Sequence, residues 1–268
     1  MPHWTLADIP WDRFDRDKVD PDLLLLVKAA SLVEQNGRDY TRYLCNVFAD
    51  DPAFQDAARQ WGSEEVQHGE ALGRWAALAD PSFDHPAACA RFSAGFRVDL
   101  DARHSLRGSR AGELVARCIV ETGTSSYYAA LGEAAAEPVL KAICRHIAAD
   151  ELRHYKLFYD HLGRYLARER LGTWGRLKIA LSRIRESEDD ELCYAWFAAN
   201  QQGEYDRKRA SLAYLKHAYA VYRSHHVERM AAMVLKAAGL RPNGWLSRVL
   251  SALAWRAMRV RALALARA

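Results

Sequence analysis

The sequence is short of the residues that mark disulfide scaffolds, metal ribbons and turn-rich β-folds. Its 268 residues include only five cysteines, eight prolines and fifteen glycines. Cys45, Cys89, Cys118, Cys144 and Cys193 are scattered, odd in number and never paired as C-x-x-C, which excludes a zinc ribbon, a rubredoxin centre and a disulfide framework. Free thiols in a reducing cytoplasm are the expectation. No apolar run reaches the roughly 18 residues of a membrane span. The opening MPHWTLADIPWDRFD places acids within the first dozen residues and lacks the basic start and apolar centre of an export signal. A chain of this length buries about 70–75% of the surface it exposes unfolded, so it needs no covalent staple.

What is present is helical. Pro21, Pro52, Pro81, Pro86, Pro138 and Pro242 stand where helices begin or stop. Phe54, Ala58, Trp61, Glu65, His68, Leu72, Trp75 and Ala79 follow one another at three- and four-residue steps, the period of a helix face. The spacing predicts helices over 21–49, 52–79, 109–135 and 138–169. Residues 80–108, which mix Pro, Asp, His and Gly, read as a long crossover. The fold class expected is all-α, a four-helix bundle with one long return. Three parts follow: an N-terminal extension at 1–20, the bundle at 21–170, and additional helices at 171–268. In the last part a charged break, RESEDDE at 185–191, precedes an expected long helix over about 192–238 and an Arg-rich final helix.

Four helical stripes each carry a carboxylate where an apolar side chain belongs, and a lone buried carboxylate costs several kcal/mol. Glu34 interrupts Val27, Ala30, Gly37, Thr41 and Leu44, while Glu65 and His68 interrupt the second stripe. Glu121 lies between Cys118 and Ser125. Glu151 and His154 lie between Ile147 and Phe158. Glu65-x-x-His68 and Glu151-x-x-His154 have the i, i+3 spacing that puts a carboxylate and an imidazole side by side on one face. The halves repeat, with 87 residues from Glu34 to Glu121 and 86 from each E-x-x-H pair to the other, which predicts a pseudo-twofold site. Four carboxylates neutralise two divalent cations, and neutral imidazoles complete the set. A carboxylate and imidazole donor set without thiolate suits iron or manganese.

With these residues in view, the chain resembles the ferritin-like di-iron carboxylate superfamily, most of all soluble acyl carrier protein desaturases and rubrerythrin-like proteins. The resemblance covers about residues 20–165 and rests on SEEVQHGE at 63–70, ETGT beginning at Glu121, and IAADELRH at 147–154. It implies a ferritin-like bundle holding two iron ions, Fe/Fe or else Mn/Fe, with Glu65 and Glu151 as bridges. Glu34 and Glu121 would be terminal ligands, and His68 and His154 would bind one ion each. It also implies that Thr124 lies beside the oxygen-binding face. Asp150 would hydrogen-bond a metal-bound histidine on an electron path completed by an N-terminal tryptophan, Trp4 or Trp11. Leu72 stands where ribonucleotide reductase small subunits carry a radical tyrosine, and Ile147 where arylamine oxygenases carry an extra histidine.

The implied activity is an O2-dependent desaturase or hydroxylase acting on a hydrophobic small molecule or a carrier-bound acyl or lipid substrate, with a ferredoxin-like electron donor. The alternatives are a rubrerythrin- or ferritin-like protein that oxidises ferrous iron or removes peroxide, and a tRNA-modifying di-iron hydroxylase. Gly123, Thr124, Ser125 and Ser126 either leave room near the metals or let helices pack closely. His217, His225 and His226 read as surface or satisfied core groups. Residues 241–268 hold six Arg and no acid, leaving 32 basic and 34 acidic groups on the rest. That tail either packs with Arg facing water or meets an anionic membrane surface or an acidic carrier protein, making the protein peripheral at the membrane. A homodimer is compatible with the pattern. Nucleic acid binding is not expected from a slightly acidic body without a continuous basic face.

Overall fold

In a computed structural model, described over residues 3–186 and 190–267, the described chain is helical and has no strand. Three short 3-10 turns, Leu6–Asp8, Trp11–Arg13 and Arg16–Lys18, lead into eleven α-helices. These are α1 (Pro21–Gln35), α2 (Gly37–Val47), α3 (Pro52–Ala79), α4 (His85–Gly95), α5 (Arg110–Ala134), α6 (Pro138–Leu166), α7 (Thr173–Glu186), α8 (Asp190–Asn200), α9 (Arg207–Val221), α10 (Ser224–Ala237) and α11 (Trp245–Arg267). Local chemistry sets the starts of the long helices. Asp20, Asp51, Ser109 and Glu137 each accept hydrogen bonds from the first free N–H groups of α1, α3, α5 and α6. Pro21, Pro52 and Pro138 follow three of these caps, where a missing N–H costs nothing.

The core falls into two apolar plugs. One gathers Leu26, Leu72, Trp75, Tyr128, Leu131, Leu140 and Ile147, and the other Leu44, Phe54, Trp61, Leu114, Cys118 and Phe158. α3, α5 and α6 each run from one plug to the other with the misplaced carboxylate between them, whereas α1 packs in the first plug, carries Glu34 at its end and hands on to α2 in the second. α6, and α1 followed by α2, run from the first plug to the second, while α3 and α5 run the opposite way. Thus α1 and α3 are antiparallel, as are α5 and α6, and only the parallel step from α3 to α5 needs a crossover. α1 packs on α3, α5 on α6, and α3 on α6.

Three expectations need correction. The helix expected over 21–49 breaks at Asn36, because the chain must step in toward α3. Thr41 donates to the Gly37 carbonyl at 2.7 Å, and a Cβ on Gly37 would lie 2.5 Å from Glu65 Cβ. Asn36 also donates to Glu191 on α8 at 2.8 Å. The crossover at 80–108 is not all loop, since Asp84 caps α4 within it. The helix expected over 192–238 is three helices, with Asp206 capping α9 and backbone breaks between Asn200 and Arg207 and between Val221 and Ser224. Of the charged break at 185–191, residues 187–189 lie outside those described.

The close approach at Gly37 is testable. Gly37→Ala is expected to cost roughly 1–3 kcal/mol by overpacking, which lowers Tm by several degrees for a domain of this size. Gly123→Ala is the control, since its Cβ would meet nothing within 4 Å. Thermal melts in which both variants match the parent would refute a tight α2–α3 contact.

Candidate metal centre

The structure brings all six stripe residues together between the two plugs. Glu34, Glu65, His68 and Glu151 form one group with ligand atoms within 4.8 Å of one another, and Glu65, Glu121, Glu151 and His154 form a second. Glu65 and Glu151 belong to both groups, while Glu34 with His68 and Glu121 with His154 belong to one each. All six are buried.

Each of the six turns one buried atom inward without a hydrogen-bond partner. These atoms are Glu34 Oε2, Glu65 Oε1, His68 Nδ1, Glu121 Oε1, Glu151 Oε1 and His154 Nδ1. His68 Nδ1 lies 3.3 Å from Glu151 Oε1 and 3.5 Å from Glu34 Oε2, and His154 Nδ1 lies 3.0 Å from Glu65 Oε1. Those short separations hold no well-directed hydrogen bond. Buried polar atoms are normally satisfied, so six orphans facing one another mark a place built for something else.

The outward-facing atoms of the two histidines, Glu34 and Glu151, by contrast, are held. His68 Nε2 lies 3.0 Å from Asp150 Oδ2, and His154 Nε2 lies 2.8 Å from Glu64 Oε2. Each acid immediately precedes the Glu of one E-x-x-H pair and binds the histidine of the other pair, so the repeat is closed by a crossed exchange. Arg153 spans both acids, at 2.6 Å from Asp150 Oδ1 and 3.2 Å from Glu64 Oε2. Such outer carboxylates fix the imidazole tautomer and aim Nδ1 at the centre. Tyr128 donates to Glu34 Oε1, and Thr124 donates to Glu151 Oε2 at 2.7 Å.

Asp150 thus lies within hydrogen-bond distance of His68, and Trp4 rather than Trp11 is joined to it. Trp4 Nε1 donates to Asp150 Oδ2 at 2.6 Å, and its ring lies parallel to that of His68 with centroids 6.0 Å apart. Trp11 instead donates to the Leu6 carbonyl at 2.7 Å beneath the Arg74 guanidinium. Trp61 is a core filler against His154 and Phe158. Of the extra histidines, His217 stacks on Trp196, and His225 and His226 bind Glu133 at 2.9 and 3.1 Å.

Electrostatics shows what the cluster does without a cation. Burial, with Glu151 and Glu34 beside it, pushes the Glu65 carboxyl well above the usual range, and burial with Glu151 and Glu65 does the same to Glu121. Burial opposes charge on His154, yet the Glu151 carboxylate beside it and its bond to Glu64 push its pKa up to about 10. Burial likewise opposes charge on His68, but Asp150, Glu151 and Glu34 carry it well above the ordinary value. Burial resists ionisation of Glu151, which the two imidazoliums nonetheless hold well below the usual carboxylate range. The shifts of Glu65, Glu121, His68 and His154 all favour proton uptake, and protons in the cluster offset carboxylate charge as divalent cations would.

A cavity of about 50 Å³ adjoins the cluster, lined by Glu34, Glu65, Glu121 and Glu151 together with Tyr40, Arg117, Val120 and Thr124. That is room for a few molecules of water or dioxygen size. Of the small residues after Glu121, Thr124 faces this space, whereas Ser125 and Ser126 are fully enclosed by packing.

The sequence reading missed Glu64 and Tyr128. The signal for Glu64 was available, because Glu64-Glu65 repeats the acidic doublet Asp150-Glu151. Tyr128 gave none, since an aromatic residue on an apolar stripe reads as core. No protein-family model matches this chain, and no curated protein matches it.

Proposed function

We propose that the chain is a ferritin-like di-metal carboxylate protein that holds two iron ions, or manganese with iron, and reduces O2 to oxidise a hydrophobic substrate. The observation that carries this reading is the set of six inward-facing buried atoms without hydrogen-bond partners, four from carboxylates and two from imidazoles. Their donor set suits iron or manganese, and four carboxylates balance two divalent cations. Glu65 and Glu151, which belong to both groups, would help to hold both ions, while Glu34 and His68 would hold one and Glu121 and His154 the other.

When bound, a reduced di-iron pair supplies two electrons to O2. The chain's own residues do the rest. Asp150 and Glu64 hold the imidazoles with Nδ1 inward, and Tyr128 and Thr124 orient Glu34 and Glu151. The two apolar plugs exclude bulk water, which strengthens every electrostatic contact inside. The 50 Å³ cavity beside Thr124 and Glu121 accepts a molecule of dioxygen size. An acyl or lipid substrate and a ferredoxin-like donor are carried by the resemblance.

A second reading, ferrous iron oxidation or peroxide removal, is favoured by that same cavity, which is too small for an acyl chain as it stands. The two readings separate on O2 uptake. A desaturase or hydroxylase consumes O2 in step with product from a hydrophobic substrate, whereas a ferroxidase consumes it in step with ferrous iron supplied alone.

Loading the site should displace protons, because metal ligands must be deprotonated. Anaerobic titration with ferrous iron in weak buffer is expected to release protons as the ions bind, with affinity rising as pH rises because protons compete for the same atoms. Elemental analysis should give about two metals per chain. A titration that binds no iron, or binds it without releasing protons, would rule out this site.

A further inference from the structure

Helix α11 is built inside out for a helix on a water-facing surface. It lies on α9 and α10 through Ser247, Ser251, Trp255 and Met258, a seam of two serines and two half-buried large side chains. At 100° per residue the opposite side carries Trp245, Val249, Leu253, Val260 and Leu263. Trp245 is 73% exposed, Leu253 59% and Val260 61%. Arg256 falls within this stripe, and Arg248 and Arg259 flank it. None of these three has an acidic partner among the described residues. The whole stretch 241–268 offers six arginines and no acid, while the rest of the chain is close to neutral.

We propose that this outward face of α11 binds the surface of an anionic lipid bilayer, lying in the headgroup plane. The proposal is independent of the metal centre. Apolar side chains interleaved with arginine and opened by a tryptophan are the composition that an interfacial helix needs, with apolar groups reaching the acyl boundary and guanidiniums meeting lipid phosphates. Among the described residues no helix is long and apolar enough to cross a membrane, and the proposed contact is with the bilayer surface. A second copy of the chain is a poorer occupant. A twofold contact would set arginine against arginine, with no acid on the helix to relieve it.

The test is co-sedimentation of the full chain with phosphatidylcholine vesicles, with and without phosphatidylglycerol. Binding is expected to the anionic vesicles and to be about tenfold or more weaker to neutral ones. The triple variant Arg248→Glu, Arg256→Glu, Arg259→Glu and, separately, Leu253→Asp with Val260→Asp should each lower anionic binding about tenfold or more. Rising salt should weaken what the arginines contribute. All five positions are exposed, and circular dichroism with metal content should match the parent. Absence of binding to anionic vesicles, or full binding by either variant, overturns the proposal. So does retention on polyglutamate in place of vesicles, which would identify an acidic protein partner. A dimer in light scattering that Leu253→Asp abolishes would identify a second copy and equally overturn it.

Discussion

Glu151→Ala is expected to give a folded chain that holds neither metal. Glu151 is fully buried and its two oxygens face different histidines, 3.3 Å from His68 Nδ1 and 3.7 Å from His154 Nδ1. Of the six residues it shares with Glu65 alone a place in both groups, so its removal disturbs both positions at once. The loss should exceed the roughly 10–100-fold that follows from removing an outer partner. The fold should survive, since the plugs on either side hold Trp75, Leu131, Phe54 and Phe158 independently of the cluster. Metal analysis and circular dichroism after reconstitution check this. Two ions per chain in Glu151→Ala would remove it from the ligand set, whereas His154→Ala retaining one ion would fit a ligand of a single position.

The second large effect is expected at Asp150, which belongs to neither of the two ligand groups of the six-residue cluster. Its carboxylate gathers His68 Nε2 at 3.0 Å, Trp4 Nε1 at 2.6 Å, His3 Nε2 at 2.8 Å and Arg153 at 2.6 Å. Burial opposes its charge, but the bonds from His68 and Arg153 hold its pKa well below the usual range. Asp150→Ala should weaken metal binding about 10–100-fold, because His68 loses the group that fixes its tautomer and ring orientation. Asp150→Asn keeps an acceptor for the imidazole N–H and should recover part of that loss. Chelator competition reads both variants. Equal affinity in parent and Asp150→Ala would show that packing alone orients His68. Trp4 should also be released from its site in the alanine variant, exposing the N-terminal turn to proteolysis.

These expectations differ in how far the sequence alone carries them. The six residues of the cluster were legible because a charge on an apolar stripe is a local contradiction, visible within one turn of helix. The i, i+3 pairs and the 86-residue repeat then related the four stripes without any knowledge of packing. The outer set was legible only in part. Asp150 entered through resemblance, and the choice between Trp4 and Trp11 stayed open, since neither has a periodic neighbour to place it. What selects Trp4 is a bond across 146 residues. The helix breaks at Asn36 and between α8, α9 and α10 were missed for a related reason. Asn36 has no proline and reads as continuous helix, and its break follows from the approach of Gly37 to Glu65 on another element.

By itself the sequence determined that the chain is helical, where the long helices start, and which six side chains conflict with their apolar surroundings. Those properties rest on capping, proline placement and the 3.6-residue period, all of which act within a few residues. Tertiary structure alone decided that Asp150 serves His68 and Glu64 serves His154, that Tyr128 holds Glu34, and that α11 turns Val249, Leu253, Val260 and Leu263 outward. Each of these depends on which helix lies against which, and contacts separated by tens to more than a hundred residues leave no local period in the chain. A stripe shows which side of a helix is apolar, but only the neighbouring helix decides whether that side is covered.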